Sequence, residues 1–210
     1  MLTDNRLDKI ERVANRRQED MTVVLNNVHD PHNIGAVLRT CDSVGISKIY
    51  VLLNDDKTSE NNIMLGKKAA ASARKWVDVY LYYDVKKCFE HVKSKYKLIV
   101  GTHLGSESKS FFDVDFTQSI AMVFGNEHNG ISEEVLPYID TNILIPQVGM
   151  VESLNISVSV AITLYEAFRQ RNTKSYYDNV RNKIFSEQIK ESYIERHRDK
   201  YYGSNMIKVE

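Results

Sequence analysis

The chain has little cysteine, no long apolar run and no excess of either charge. Cys41 and Cys88 offer neither a disulfide framework nor metal-ligand spacing. Cys41 falls on the apolar face of a helix pattern, the place of a buried free thiol, and a reducing cytoplasm is the expected compartment. No stretch approaches the roughly 20 apolar residues that cross a bilayer, so no membrane partner is expected. Residues 1–20 are rich in charge and lack the apolar core of a signal peptide. His29, His32 and His103 stand in loops at no ligand spacing, and no metal is expected. A phosphate-loop lysine motif and a Rossmann glycine fingerprint are both missing, which argues against a nucleotide-binding regulator. Ser153 has no nucleophile elbow around it. There is no internal repeat, low-complexity run or linker.

What remains is ordinary globular material. Hydrophobic residues make up 42% and charged residues 27% of 210 positions, enough for one compact domain with appendages. The 28 basic and 28 acidic side chains cancel, but not evenly. Residues 21–165 hold 13 basic and 16 acidic groups, a net of −3, and residues 166–210 hold 10 and 7, a net of +3. The basic C-terminal end fits a polyanionic partner, and equally a solvated helical face.

Leu7, Ile10, Val13 and Ala14 recur at helical spacing behind Thr3 or Asp4 as cap. Apolar strands follow at 23–25, 48–53, 77–82, 97–102, 119–124 and 141–145. Helices are predicted over Ile34–Cys41, ended by Gly45, over 63–74, from Asp84 to about Ser94, and from about Asn155 to Arg171. Ser132-Glu133-Glu134 has the chemistry of another helix start, and 103–117 reads as a long loop. Residues 173–202 interleave tyrosines with Lys and Arg, a pattern for one or two appended helices. Alternating strand and helix implies an α/β fold, a parallel sheet with helices on both faces. Ligands of such sheets bind at the carboxyl ends of the strands. The polar loops 26–33, 125–131 and 146–154 all leave such ends.

Within these loops each polar residue has two readings. Asn33 belongs to a helix start, and Arg39 follows apolar Leu38, so it points off the buried face. Taken alone it is an exposed helix arginine. Glu127 follows the strand through Gly125-Asn126 and is either a turn residue or a site carboxylate. Ser153 and Asn155 are helix-cap types or ligand contacts, while Met150 and Val151 suit a pocket wall or plain packing.

The order of three motifs is more specific than any of them. They are Asn27-Val28-His29-Asp30-Pro31-His32-Asn33-Ile34-Gly35-Ala36-Val37-Leu38-Arg39-Thr40-Cys41-Asp42, then Phe124-Gly125-Asn126-Glu127-His128-Asn129-Gly130-Ile131-Ser132, then Ile145-Pro146-Gln147-Val148-Gly149-Met150-Val151-Glu152-Ser153-Leu154-Asn155-Ile156-Ser157-Val158-Ser159. Together with Ser72-Ala73-Arg74-Lys75-Trp76-Val77, they resemble the SPOUT class of RNA methyltransferases, and within it the TrmH-like tRNA ribose methyltransferases. The resemblance spans roughly residues 7–171.

The resemblance implies a C-terminal trefoil knot at about 119–165, a homodimer, and S-adenosyl-L-methionine held at Thr102, Gly125, Ile145 and Leu154. It divides the chain into a helical extension (1–20), a methyltransferase domain (21–171) and a basic, aromatic helical extension (172–210). The implied reaction methylates a ribose 2′-hydroxyl in tRNA, with guanosine-18 of the D-loop as the expected position. Arg39 is the implied central catalytic residue, held by Asn33 and Glu127, with Ser153 and Asn155 shaping the cofactor and ribose ends. A guanidinium stays protonated, so Arg39 is expected to bind the neighbouring phosphate and polarise the hydroxyl. The alternatives are a ribosomal-RNA 2′-O-methyltransferase and a catalytically silent RNA-binding protein on the same fold.

Overall fold

Strand β1, Met21–Asn26, is buried at every position, as a strand covered on both faces must be. The computed structural model describes residues 2–55, 73–103, 108–127, 129–151, 153–198 and 206–208. Around β1 stand β2 (Lys48–Leu52), β3 (Asp78–Tyr82), β4 (Leu98–Thr102), β5 (Lys109–Ser110), β6 (Ile120–Phe124), β7 (Thr141–Leu144) and β8 (Met206–Lys208). They form one eight-stranded sheet in the order β5-β7-β4-β6-β1-β2-β3-β8. Every pairing between them is parallel.

The strand period of two divides the core cleanly. Met21, Val23 and Leu25 join Ile120, Met122 and Phe124 on one face. Val24, Ala121 and Val123 point into the other. Helices α2 (Pro31–Ser43) and α4 (Ile156–Thr173) cover the first face with Ile34, Val37, Leu38 and Cys41, and with Ile156, Val160, Leu164 and Ala167. Helix α3 (Val85–Lys95) covers the second with Cys88, Phe89 and Val92. Its cap is Asp84, whose carboxylate accepts from the Lys87 N–H.

Outside the sheet, α1 (Asp4–Ala14) packs on α5 (Lys183–Arg198). Helix α5 is tied to the core by Arg196 on Asp78 at 2.7 Å and by the Tyr193 hydroxyl on the Trp76 carbonyl at 2.5 Å. At the end of α4, Arg171 is fully buried. Its guanidinium donates to the carbonyls of Phe116 (2.8 Å) and Gln118 (2.6 Å) and pairs with Asp20 (2.6 Å). No described helix is long and apolar enough to cross a membrane.

Three local expectations need correction. The helix start at Ser132-Glu133-Glu134 yields only a 3-10 turn, Leu136–Tyr138. Pro137 explains it: in an α-helix its ring would strike the carbonyl four residues back, and it has no N–H to donate. The loop over 103–117 contains the two-residue β5 and a 3-10 turn at Phe111–Asp113. The C-terminal segment does hold an appended helix, α5, as expected, and a strand, β8, follows it along β3. Of the helix predicted over 63–74, residues 63–72 lie outside the described residues, and Ala73–Lys75 is a 3-10 turn.

Candidate active site

The three polar loops converge beyond the carboxyl ends of β1, β6 and β7. Asp30 starts α2: its carboxylate accepts from the His32 N–H at 2.8 Å, and Pro31 occupies a position where no N–H is needed. That start sets Asn33 in the first turn, facing the loop after β6.

The loop after β6 is closed on itself. Asn126 and Gly130 exchange backbone hydrogen bonds at 3.1 and 3.0 Å, and the Asn126 side chain accepts from the Asn129 N–H. Gly130 sits at φ +66°, which favours glycine. Gly125 is held by contact instead: a Cβ there would lie 1.9 Å from the Gly130 carbonyl carbon. The closed loop presents Glu127, and the Asn33 side-chain amide donates to its carboxylate at 2.6 Å.

Asn155 caps α4. Its Oδ1 accepts from the Ser157 N–H at 2.9 Å and from the Ser157 hydroxyl at 2.5 Å. Its Nδ2 donates to Asn33 Oδ1 at 3.1 Å. Ser157, Asn155, Asn33 and Glu127 therefore form one directed chain of hydrogen bonds that ends on a carboxylate. Ser157 was not singled out in the sequence. The signal for it was positional, since an N-cap side chain bonds the second residue after it.

Beside this chain lies a cleft of about 330 Å³. Phe124, Ile143 and Ile156 give it an apolar floor, and Thr102, Gly125, Glu127, Ile145, Ser153 and Leu154 line it. All four residues expected to hold S-adenosyl-L-methionine are among them. Gly125 fits a wall for such a group: it and Gly130 both line the cleft, and they pack so closely that a Cβ on Gly125 would push the Gly130 backbone out of place. Ser153 faces the cleft, and the cap role falls to Asn155 alone.

Two expectations fail. Met150 and Val151 do not form a pocket wall: they are 100% and 66% exposed, beside Val148, at the loop tip. Arg39 is exposed on α2, as the helical pattern predicts, and among the described residues it bonds neither Asn33 nor Glu127. The two residues expected to hold it hold each other. Six positions along a helix put Arg39 on a different face from Asn33. Neither cysteine is a nucleophile here: both are free and buried, and burial drives both thiols upward, Cys88 to about 12.

Residues 20–165 match the family model described as the SpoU rRNA Methylase family. The chain belongs to the SpoU methylase family. Among curated SpoU relatives, the tRNA (guanosine(18)-2'-O)-methyltransferase of Thermus thermophilus is 38% identical over 179 residues, 85% of this chain and 90% of that protein. A solved A. aeolicus TrmH/SpoU tRNA modifying enzyme superposes with a TM-score of 0.82 at 33% identity, covering 94% of this chain and 98% of the other. The SpoU methyltransferase AviRb from Streptomyces viridochromogenes, solved in complex with the cofactor AdoMet, gives 0.65 at 25% identity over 80% of this chain and 65% of its own. The SpoU match ends at residue 165, inside α4, so Arg171, α5 and β8 lie beyond it.

Proposed function

We propose that this chain is an S-adenosyl-L-methionine-dependent 2′-O-methyltransferase acting on tRNA, at guanosine-18 of the D-loop. The observation that carries the reading is the Asn155–Asn33–Glu127 chain set at the edge of a cleft lined by Thr102, Gly125, Ile145 and Leu154. The 38% identical Thermus thermophilus relative supports the substrate, and the cofactor-bound AviRb structure supports the methyl donor.

When bound in the cleft, S-adenosyl-L-methionine supplies an electrophilic methyl group. The chain's residues have to orient a weak nucleophile toward it. Asn33 and Asn155 have their amides fixed by mutual bonding, so they can hold the ribose without reorganising. Arg39 carries a permanent charge and would bind the adjacent phosphate, whose oxygen would accept the hydroxyl proton as the methyl arrives. Ser153 shapes the wall between ribose and cofactor.

The working form is a homodimer. Val158, Ile162 and Tyr165 recur at i, i+4 and i+7 on the outer side of α4 and are 44%, 37% and 53% exposed, an apolar face suited to a second copy. Residues 119–165 form the trefoil knot; its support is β7, which enters between β5 and β4 with β6 placed elsewhere. Residues 21–171 constitute the methyltransferase domain, and of the extensions 1–20 and 172–210, α1 packs on α5. A cytoplasmic location fits two free, buried thiols.

The test is incubation with labelled S-adenosyl-L-methionine and unmodified tRNA, followed by mapping of the methylated ribose. Label at guanosine-18 is the expected result, and no label in any tRNA would overturn the reading. A ribosomal-RNA substrate is the second reading, favoured by the description of the matching family. Offering both RNAs in competition separates the two.

A further inference from the structure

Asn26 ends β1 with its side chain fully buried, between the first two strands and the loop that carries Glu127. Its Oδ1 accepts from the Ser132 N–H at 2.8 Å, and its Nδ2 donates to Asn54 Oδ1 at 2.8 Å. Asn54 continues the network. Its Nδ2 donates to Glu134 at 2.9 Å and to the Ser132 hydroxyl at 3.3 Å, and its N–H donates to Asn27 Oδ1 at 2.9 Å. Asn27 takes φ +54°, an angle open to asparagine, and its N–H bonds the Leu52 carbonyl. Two amides thus tie the ends of β1 and β2 to the return arm of the loop after β6.

That arm matters because the loop between Asn126 and Gly130 is already closed on itself. A closed loop moves as a body, and its placement is set at its two ends. One end continues β6. The other is Ser132, whose N–H is taken by Asn26.

We propose that Asn26 and Asn54 are positioning residues for methyl transfer: they set where Glu127 stands against Asn33. Neither lines the cleft. The proposal rests on the methyltransferase reading above. Loss of the tie lets the Glu127 loop drift, and misplacement of about 1 Å at a reacting centre costs up to a hundredfold in rate.

The test uses the full-length protein with Asn54→Ala, because Asn54 is only partly buried, and with Asn26→Asp, which keeps the acceptor for Ser132 and loses the donor. The expected result is kcat lowered roughly ten- to a hundredfold, with KM for tRNA and calorimetric affinity for S-adenosyl-L-methionine unchanged. In a double-mutant cycle, Asn54→Ala adds little once Asn33→Ala is present, because both act on one contact. An unchanged kcat with a lower melting temperature, or fully additive losses, would overturn the proposal. If Asn26→Asp does not fold, Asn54→Ala decides alone. Wild-type protein that methylates no RNA overturns the methyltransferase reading instead, so the two failures are distinguishable.

Discussion

The Asn155 side chain donates to the Asn33 side chain at 3.1 Å, although 122 positions separate them. One amide does two jobs: its oxygen caps α4 and its nitrogen fixes Asn33. The two jobs can be separated. Asn155→Asp keeps the capping oxygen and loses the donor, so methylation should collapse with little change in melting temperature. Asn155→Ala loses both and should also cost about 1 kcal/mol of stability. Thermal denaturation beside a methyl-transfer assay checks this, and wild-type activity in Asn155→Asp, or equal melting temperatures in the two variants, would contradict it.

Arg39 is exposed and, among the described residues, makes no hydrogen bond to the site. Arg39→Ala should therefore leave the melting temperature and S-adenosyl-L-methionine binding unchanged while abolishing methylation. Wild-type turnover in this variant removes Arg39 from the mechanism.

Gly125→Ala places a Cβ 1.9 Å from the Gly130 carbonyl carbon. The obstacle is backbone, so the loop has to move. Calorimetry should show cofactor affinity reduced at least tenfold. Retained affinity would mean that the wall of the cleft is not built by this contact.

Burial alone would raise the Asp20 carboxyl, but hydrogen bonds from Arg181 and the charge and hydrogen bonding of Arg171 hold it below its ordinary value. A carboxyl depressed in the folded state stabilises the protein above its unfolded value, near 3.9, and loses that contribution as pH falls through the folded value. Melting temperature should therefore fall on acidification below about pH 4. Arg171→Met leaves Asp20 with Arg181 alone and removes the donors to Phe116 and Gln118. A loss of about 1–3 kcal/mol is expected from buried carbonyls left without donors, and denaturant titration measures it.

Ile162→Glu puts a charge on the exposed apolar side of α4. Sedimentation should show monomers where wild type gives dimers. Dimers in both would place the interface elsewhere.

Much of the fold was legible because its signals are local. Six strands were visible as apolar runs, and Asp84 announced α3 before it formed. The pattern Ile34, Val37, Leu38, Cys41 named the buried side of α2 correctly. The misses have two physical sources, one local and one long-range. Pro137 undoes a helix start that Ser132-Glu133-Glu134 would otherwise favour. β5 has two residues and exists only because β7 lies beside it. Asn26, Asn54 and Arg171 look like ordinary polar residues, since their partners are supplied by segments far away in the chain. Motif order singled out the candidate residues Asn33, Glu127, Ser153 and Asn155, which the structure brings to one cleft. It did not give their bonding, and Asn33 was matched with Arg39 where the structure pairs it with Glu127.

The place of β1 has a consequence for how the protein is made. Its neighbours are β2 and β6, and the latter pairing joins Met21 to Ile120. A nascent chain emerging at ~5–20 residues per second leaves β1 with one open edge for roughly 5–20 s. Arg171 then arrives later still, closing Phe116, Gln118 and Asp20 around the end of α4. Until β6 pairs, an apolar strand with one open edge stands exposed in the cell, and that interval is when this chain most needs protection from its neighbours.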